Sequence, residues 1–233
     1  MDTSLSPEEQ MISERITELK QKLGDDLLIL GHHYQRDSIV MHADFLGDSF
    51  MLSQKAAESS AKYIIFCGVH FMAESADILT DDDQSVILPN LRAGCSMADM
   101  ANLEDVTKCW NEILENTELK DPINRDDPDL PCSENESYLI PVTYMNSSAA
   151  LKSFVGEHGG IVCTSSNAQG ILNWAFERAG KNGKVLFFPD QHLGRNTGLT
   201  MGLTVDQMAT WIPGEDLDRD AWELIDKSKM ILW

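Results

Sequence analysis

Six short apolar runs, with helical patterns between several of them, limit this sequence most strongly. Each holds three to five residues rich in Ile, Val, Leu or aromatic side chains, at 27–30, 63–67, 86–88, 138–142, 161–163 and 185–188. Runs this short are typical of buried parallel strands rather than buried helices. Helical patterns such as 49–62 and 167–179 complete a βαβ rhythm. The sequence therefore predicts an α/β protein.

The runs fall into two groups of three, which predicts two small three-layer α/β domains with parallel sheets. Between the groups, residues 115–136 are acidic, contain prolines and lack apolar periodicity. We place the first domain at 1–110, an acidic linker or excursion at 111–137, and the second domain at 138–233. Residues 7–23 have the apolar spacing of an amphipathic helix, which we interpret as covering a sheet.

The charge balance excludes several functional classes. The chain carries 38 acidic against 18 basic residues, a formal net charge of −20. Such a surface repels nucleic acid and anionic membranes. No apolar run approaches the roughly 18 residues of a membrane span, and MDTSLSPEEQ lacks the basic start of a secretory signal. We predict a cytoplasmic protein, whose acidity reflects either ordinary solubility or adaptation to high salt.

Polar side chains follow every one of the six runs. The segments are GHHYQRD (31–37), GVHFMAES (68–75), PNLRAGCSMAD (89–99), TYMNSS (143–148), TSSNA (164–168) and PDQHLGRN (189–196). Ligands bind beyond the carboxyl ends of parallel strands, and simple turns do not need His, Tyr, Asn and Cys together. The convergence of six such loops predicts a binding site.

Two histidines and two tyrosines are candidates in these loops. Adjacent residues of a strand point to opposite faces, so we expect one of His32 and His33 to face the ligand and the other to pack. Imidazole is a good donor to carboxylates and moves protons near neutral pH. Tyr34 and Tyr144 are either core aromatics or site residues, and their polar neighbours favour hydroxyls that point into the site.

Serine and cysteine candidates keep two interpretations each. Ser49 and Ser165 stand where helical patterns begin, so they either cap a helix or bind an anion at its N-terminus. Five cysteines without CxxC spacing disfavour a disulfide scaffold or a zinc ribbon. Cys95, in a Gly-Cys-Ser turn with Arg92 nearby, is either a metal ligand or an ordinary packed thiol.

Together the loops resemble the quinolinate synthase family. The matching segments, in the family's order between residues 27 and 211, are GHHYQRD with ADFLGDS, FCGVHFMAES, LPNLRAGCSMAD, VTYMNSSAALK, IVCTSSNA and FFPDQHLGRN. The resemblance implies condensation of iminoaspartate with dihydroxyacetone phosphate to quinolinate, with loss of phosphate and water, in NAD biosynthesis. It also implies three α/β domains around a pseudo-threefold axis, with a central [4Fe-4S] cluster acting as a Lewis acid.

The resemblance also implies roles for residues of this chain. Cys95 would be the first cluster ligand, and Tyr34 and Tyr144 would move protons or orient groups. The residues that would line the substrate pocket are His32, Tyr34, Ser49, Tyr144, Asn146 and Ser165. L-Aspartate oxidase would hand over the iminoaspartate.

One departure from the family is large. Residues 229–233 (KMILW) resemble the strand that precedes the family's second cysteine, and the sequence stops before that cysteine and the third domain. Cys67, Cys109, Cys132 and Cys163 do not match the missing ligand positions. We expect an incomplete enzyme, inactive alone. The alternatives are a short paralogue that binds a dicarboxylate or phosphometabolite without catalysis, and a redox sensor that uses Cys95.

Overall fold

The chain folds into two compact units in a computed structural model. The structure describes residues 5–125 and 136–233, without the Asn124 side chain. The first unit is Met1–Cys95 and the second is Ser96–Trp233. Cys132 and most of the acidic stretch lie outside the described residues. The α/β class with parallel sheets is confirmed, because every strand pair in both sheets is parallel.

The first unit is built on a four-stranded sheet in the order β2-β1-β3-β4. Its elements in chain order are α1 (Pro7–Leu23), β1 (Leu27–His32), α2 (Asp37–Val40), β2 (Phe45–Gly47), α3 (Ser49–Ala57), β3 (Tyr63–Cys67), α4 (His70–Leu79) and β4 (Ser85–Ile87). Helices α3 and α4 pack against each other, and they contact β1, β2 and β4. Fully buried Leu30, Leu52, Ile64 and Phe66 form the core between them.

One carboxylate, that of Asp44, joins three elements of the first unit. It accepts a hydrogen bond from the backbone N–H of Ile29 in β1 at 2.8 Å and from Lys20 Nζ of α1 at 2.7 Å. Because Asp44 directly precedes β2, these bonds set where β2 begins beside β1. Lys20 also donates to the carbonyl of His42 at 2.7 Å, which holds the end of α1 at this corner.

Helix α1 does not cover a sheet, so that interpretation of residues 7–23 is wrong. None of its residues is buried, and Met11 and Ile12 are 65% and 50% exposed. The helix is defined instead by its ends. Ser6 and Glu9 form a capping box, and the chain leaves the helix at Gly24, whose φ is +54°. Amphipathic spacing and caps therefore specify the helix without specifying its partner.

The second unit has a five-stranded sheet in the order β6-β5-β7-β9-β8. Its elements in chain order are α5 (Leu103–Asn116), β5 (Leu139–Tyr144), α6 (Ala149–Glu157), β6 (Ile161–Cys163), α7 (Ala168–Ala179), β7 (Lys184–Phe188), α8 (Gln191–Thr200), β8 (Met208–Thr210), α9 (Arg219–Lys227) and β9 (Met230–Leu232). Strand β9 lies inside the sheet, paired with β7 and β8.

Alternate residues of these strands enter two separate cores, which gives the second unit three layers. In β7, Leu186 and Phe188 face a core that includes residues of α5, α6 and α9. Val185 and Phe187 face the opposite core, which includes residues of α7 and α8. Strands covered on both faces carry continuous apolar runs, which is why these segments were recognisable in the sequence.

Three buried tryptophans bind the segment after Cys95 into the second unit. Trp110 of α5 donates from Nε1 to Asp121 at 3.2 Å, and Trp211 donates to Glu112 at 3.0 Å. Trp233 donates to the carbonyl of Met100 at 3.1 Å, and its ring stacks on Trp211 with centroids 5.0 Å apart. Buried indole N–H groups need acceptors, and residues 100–121 supply all three.

Along the chain, the first compact unit therefore ends at Cys95. The sequence predicted that the first domain ends at residue 110. Helix α5 contributes Val106, Cys109, Trp110 and Ile113 to a core of the second unit. The bounds 1–110, 111–137 and 138–233 stay a prediction about independently folding domains. The contacts that residues 96–110 make place them in the second compact unit.

All six predicted strands are present, within two residues at each end. The sequence rhythm did not predict β2 or β8, because these segments lack the Ile- and Val-rich runs by which the equally short β4 and β6 were recognised. Helix α3 ends at Ala57, five residues before the predicted end at 62. Among residues 5–125 and 136–233, no helix combines the length and apolar character that crossing a bilayer requires.

Two glycines near the end of α6 provide a test of this packing. An alanine Cβ at Gly160 would overlap the carbonyl oxygen of Pro141 in β5 and lie 2.7 Å from its Cγ. At Gly156, inside α6, the same atom would meet nothing within 4 Å. We expect Gly160→Ala to lower the free energy of unfolding by about 1–3 kcal/mol and Gly156→Ala to raise it by about 0.5–1 kcal/mol. Urea unfolding, monitored by circular dichroism, measures the free energy of unfolding of both variants. Equal changes for Gly160→Ala and Gly156→Ala would contradict the described register of β5.

Candidate functional site

The carboxyl ends of three strands lie side by side in the first unit. His32 at the end of β1 pairs with Gly47 at the end of β2, and Gly31 pairs with Cys67 at the end of β3. The turn after β1 and the starts of α3 and α4 therefore leave the sheet along the same edge. Parallel pairing brings together here segments that are far apart in the sequence.

His32, His33 and Tyr34 form a cluster of rings at this edge. The His32 ring stacks on His33 with centroids 4.4 Å apart, and the Tyr34 ring lies edge-on to both, at 4.6 and 4.3 Å. The expectation that the two histidines point in opposite directions is wrong. Strand β1 ends at His32 and the chain turns, with the Gln35 N–H bonded to the His32 carbonyl at 2.9 Å, so strand alternation no longer applies.

The hydrogen bonds of His32 select one neutral tautomer. The backbone N–H of Tyr34 points at His32 Nδ1 across a long 3.4 Å contact, so Nδ1 acts as the acceptor. The proton of neutral His32 then sits on Nε2, which is the donor left for a ligand. His33 differs, because its Nδ1 and its backbone N–H both bond to the Gly47 carbonyl, at 3.0 and 3.2 Å.

Burial favours the neutral form of His32. The residue is 5% exposed, and this burial lowers the pKa of its imidazole, with a smaller contribution in the same direction from the neighbouring His33. The carboxylate of Asp48 opposes both by stabilising the imidazolium. His32 is therefore prepared to donate from a neutral ring near pH 7.

Asp48, not Ser49, caps helix α3. Its Oδ1 accepts the backbone N–H of Met51 at 2.8 Å, which makes it the N-cap residue. Ser49 is the first residue inside the helix and is 9% exposed. The capping interpretation of Ser49 is therefore wrong, and ligand binding remains as its predicted role. Sequence reasoning missed Asp48, although Gly-Asp-Ser before an apolar helical pattern is a recognisable helix start.

Cys95 lies in the loop that follows β4. Asn90 shapes that loop, because its Oδ1 accepts the Arg92 N–H at 3.0 Å and its carbonyl accepts the Ala93 N–H at 2.9 Å. The Ala93 carbonyl in turn accepts the His70 N–H at the start of α4, at 2.8 Å. Backbone bonds thus hold the approach to Cys95 against α4. The Cys95 thiol is free and partly exposed.

The other described cysteines are poor candidates for metal ligands. Burial raises the pKa values of Cys67 and Cys109, and it raises that of Cys163 to about 12. A ligating cysteine must be deprotonated. Cys109 and Cys163 are completely buried in the two cores of the second unit, so they pack as small hydrophobes.

The described residues do not by themselves fit an iron–sulfur cluster. Within them, no group of three or more His, Cys, Asp or Glu side chains is placed to hold a metal ion. A [4Fe-4S] cluster is held by several cysteine thiolates, and Cys95 offers one. We therefore derive no chemical step through a cluster.

In the second unit, Tyr144 ends strand β5 and Asn146 lies in the turn that follows. Tyr144 pairs with Cys163, so the ends of β5 and β6 coincide. The Tyr144 carbonyl accepts the Ser147 hydroxyl at 2.7 Å, and the N–H of Met145 bonds to the Cys163 carbonyl at 2.7 Å. The turn that carries Asn146 is thereby fixed to the sheet.

The amide of Asn146 has a weak protein partner. Its Nδ2 lies 3.7 Å from the Met97 sulfur. A thioether is a poor hydrogen-bond acceptor, so a carboxylate or phosphate oxygen would replace it at little cost.

Ser165 lies in the loop between β6 and α7 and is exposed. Its neighbours organise that loop, because Asn167 Oδ1 accepts the Thr164 N–H at 2.7 Å and the Thr164 and Ser166 hydroxyls lie 3.0 Å apart. Asn167 is the N-cap position of α7, but its side chain bonds to the loop rather than to the helix. Ser165 does not cap the helix.

The predicted site residues thus form two sets, each within one unit. In the first unit His32 and Tyr34 are in ring contact, and Ser49 starts the helix that leaves the strand beside them. In the second unit Tyr144, Asn146 and Ser165 follow the paired ends of β5 and β6. The roles of all these residues, and that of Cys95, stay predictions.

Comparison with known proteins gives a consistent result. A family model described as quinolinate synthetase A protein matches residues 14–233. A quinolinate synthase of Corynebacterium glutamicum is 55% identical over 223 residues, covering 95% of this chain and 52% of that protein. Those of Acidobacterium capsulatum and Rhodopirellula baltica are 48% and 47% identical, covering 57% and 56% of their own lengths. This chain spans little more than half the length of each.

The lowered pKa of His32 leads to a prediction about pH. The unfolded chain binds a proton at His32 near pH 6.5, and the folded chain binds it less readily, because burial disfavours the charge. The contribution of His32 to stability is then complete above about pH 6.5 and is lost as the pH falls below it. NMR titration of the imidazole, assigned with a His32→Gln variant, should give a lower midpoint in the folded chain than in urea. An equal or higher folded midpoint would contradict the described burial.

Proposed function

The chain belongs to the quinolinate synthetase A family, and from that premise we propose that it supplies the first two domains of a quinolinate synthase. The proposed reaction is the condensation of iminoaspartate with dihydroxyacetone phosphate to quinolinate, with release of phosphate and water. The family match over residues 14–233 is the observation that carries this proposal. The proposed class is a transferase that also closes and dehydrates a ring, within NAD biosynthesis.

Anionic substrates pose an electrostatic problem for a chain with a net charge of −20. The proposed site meets it with neutral donors rather than with a basic surface. His32 offers Nε2–H, because Tyr34 N–H occupies Nδ1. Ser49 adds a hydroxyl at the N-terminus of α3, where backbone N–H groups and the helix dipole favour anions. These two donors would bind one carboxylate of the substrate.

A second set of proposed substrate-binding donors lies in the second unit. Asn146 Nδ2 would exchange the Met97 sulfur for a carboxylate oxygen, which is a far stronger acceptor. Ser165 offers an exposed hydroxyl near the N-terminus of α7.

Tyr34 and Tyr144 are the proposed proton-transfer or orienting groups. The Tyr34 ring contacts His32 and is 83% exposed, so its hydroxyl is accessible to a ligand. Tyr144 is partly buried at the end of β5. A phenol gives up a proton readily only to a positioned base, and the imidazole rings of His33 and His32 lie 4.3 and 4.6 Å from the Tyr34 ring.

Cys95 is proposed as one ligand of a [4Fe-4S] cluster, whose other ligands do not come from the described residues. Such a cluster supplies Lewis-acid chemistry at an iron when it is bound. Two features of the loop support Cys95. Its thiol is free and partly exposed, and backbone bonds from Asn90 and His70 fix the residues that precede it.

A chimera tests this assignment. Joined to the remaining part of the Corynebacterium glutamicum relative, this chain should take up iron and sulfide anaerobically, show the visible absorbance of a cluster and form quinolinate. Cys95→Ser should abolish the absorbance and lower activity by more than the roughly 10–100-fold that the loss of a partner outside the ligand shell costs. Cys67→Ser, at the end of β3, is the matched control and should retain the cluster. A cluster that survives Cys95→Ser would remove Cys95 as a ligand.

A short paralogue that binds a dicarboxylate or phosphometabolite without catalysis is the second candidate. This candidate needs only the polar loops that follow the strands, and the chain contains them. Calorimetry on the 233-residue chain separates the two. We expect weak or no binding of quinolinate, because the proposed pocket is incomplete without further residues. Binding tighter than about 1 μM, worth roughly −8 kcal/mol, would favour the binding protein.

Location and partners follow from the proposed pathway. We propose a cytoplasmic enzyme that receives iminoaspartate from L-aspartate oxidase, since an unstable imine is best used where it is made. The acidic surface supports the expectation that nucleic acid and anionic membranes are not partners.

A further inference from the structure

The position of Asp48 relative to His32 is set by the backbone. His32 pairs with Gly47 across the β1–β2 ladder, and Asp48 is the next residue. Its side chain cannot swing away freely, because Oδ1 is bonded to the Met51 N–H at 2.8 Å. His33 closes the same corner through two bonds to the Gly47 carbonyl. A negative charge is thus fixed beside the end of β1.

The groups around His32 differ in how they affect its charge. The elements that pack against β1 are β2, β3, α2 and α3. Their titratable or charged groups, together with those of the adjoining turns, are His33, the Tyr34 phenol, Arg36, Asp37, His42, Asp44, Asp48, Lys55, Glu58, Lys62, the Tyr63 phenol and Cys67. Of these, Asp48 favours and His33 disfavours a charge on His32. Cys67 is neutral, because burial raises the pKa of its thiol.

We propose that Asp48 is a positioning residue for His32, and that its carboxylate stabilises the imidazolium formed when His32 takes up a proton. The capping bond to Met51 holds the carboxylate in place and is separate from this electrostatic role. Asp48 touches no proposed substrate atom. The meaning of this role for catalysis rests on the proposed function, but the interaction itself does not.

Proton uptake by His32 has a local structural consequence. The proton would enter at Nδ1, which in the neutral ring accepts the Tyr34 N–H. Two N–H groups cannot share that position, so the imidazolium would push the Tyr34 backbone away. The charge on His32 is therefore coupled to the position of the Tyr34 backbone. The Asp48 carboxylate controls how readily His32 takes up the proton.

Asp48→Asn separates the two roles of this side chain. The Asn side-chain oxygen still accepts the Met51 N–H, so helix α3 keeps its cap, while the charge is lost. In the 233-residue chain we expect the NMR titration midpoint of His32 to move down in this variant. The Tyr34 backbone amide signal, which follows the His32 titration in the unchanged chain, should move with it. Circular dichroism and the thermal midpoint should stay close to those of the unchanged chain.

Asp218→Asn is the matched control. Asp218 is the N-cap of α9 and accepts the Ala221 N–H at 2.9 Å, so the variant removes a capping charge from the second unit. It should leave the His32 titration where it was. If Asp48→Asn is folded and leaves the His32 midpoint unchanged, or if Asp218→Asn moves it equally, the proposal is overturned. If Asp48→Asn does not fold, Asp48→Ser replaces it in the same titration. This variant also keeps a capping oxygen and removes the charge, so the same outcomes support or overturn the proposal. Neither result depends on quinolinate or on a cluster, so failure here is distinct from failure of the proposed function.

Discussion

Parallel hydrogen bonding between strands is the constraint on which both units depend. Because each strand must return to the same end of the sheet, every carboxyl end opens at one edge. In the first unit this places His32 beside Gly47 and Gly31 beside Cys67. In the second it places Tyr144 beside Cys163. In each unit this topology alone brings the polar loops to the same edge of the sheet, whatever residues the loops contain.

Hydrogen bonds from buried indole groups determine where in the chain the second unit begins. Trp110, Trp211 and Trp233 are buried, and each donates its N–H to a group within residues 100–121. Removing that segment would leave the buried N–H groups of Trp211 and Trp233 without acceptors, each at a cost of about 1–3 kcal/mol. Residues 96–110 therefore pack with the second sheet although they follow the first in the sequence.

In the proposed function, this strongly acidic chain binds anionic groups through individual hydrogen-bond donors. His32 is buried, holds its neutral proton on Nε2, and lies next to a helix N-terminus whose cap is itself an aspartate. Burial of the imidazole and the charge of the Asp48 cap shift the pKa of His32 in opposite directions. Arrangements of this kind are common where a group must both donate and accept protons.

The sequence by itself determined the α/β class, the six main strands and the polar loops that follow them, because apolar runs and their spacing are local signals. It did not determine that α1 leaves its apolar face exposed or that β9 lies between β7 and β8. The stacked rings of His32 and His33 were also beyond it. Each of these depends on contacts between residues distant in the chain or on where a strand ends, and only tertiary packing decides those.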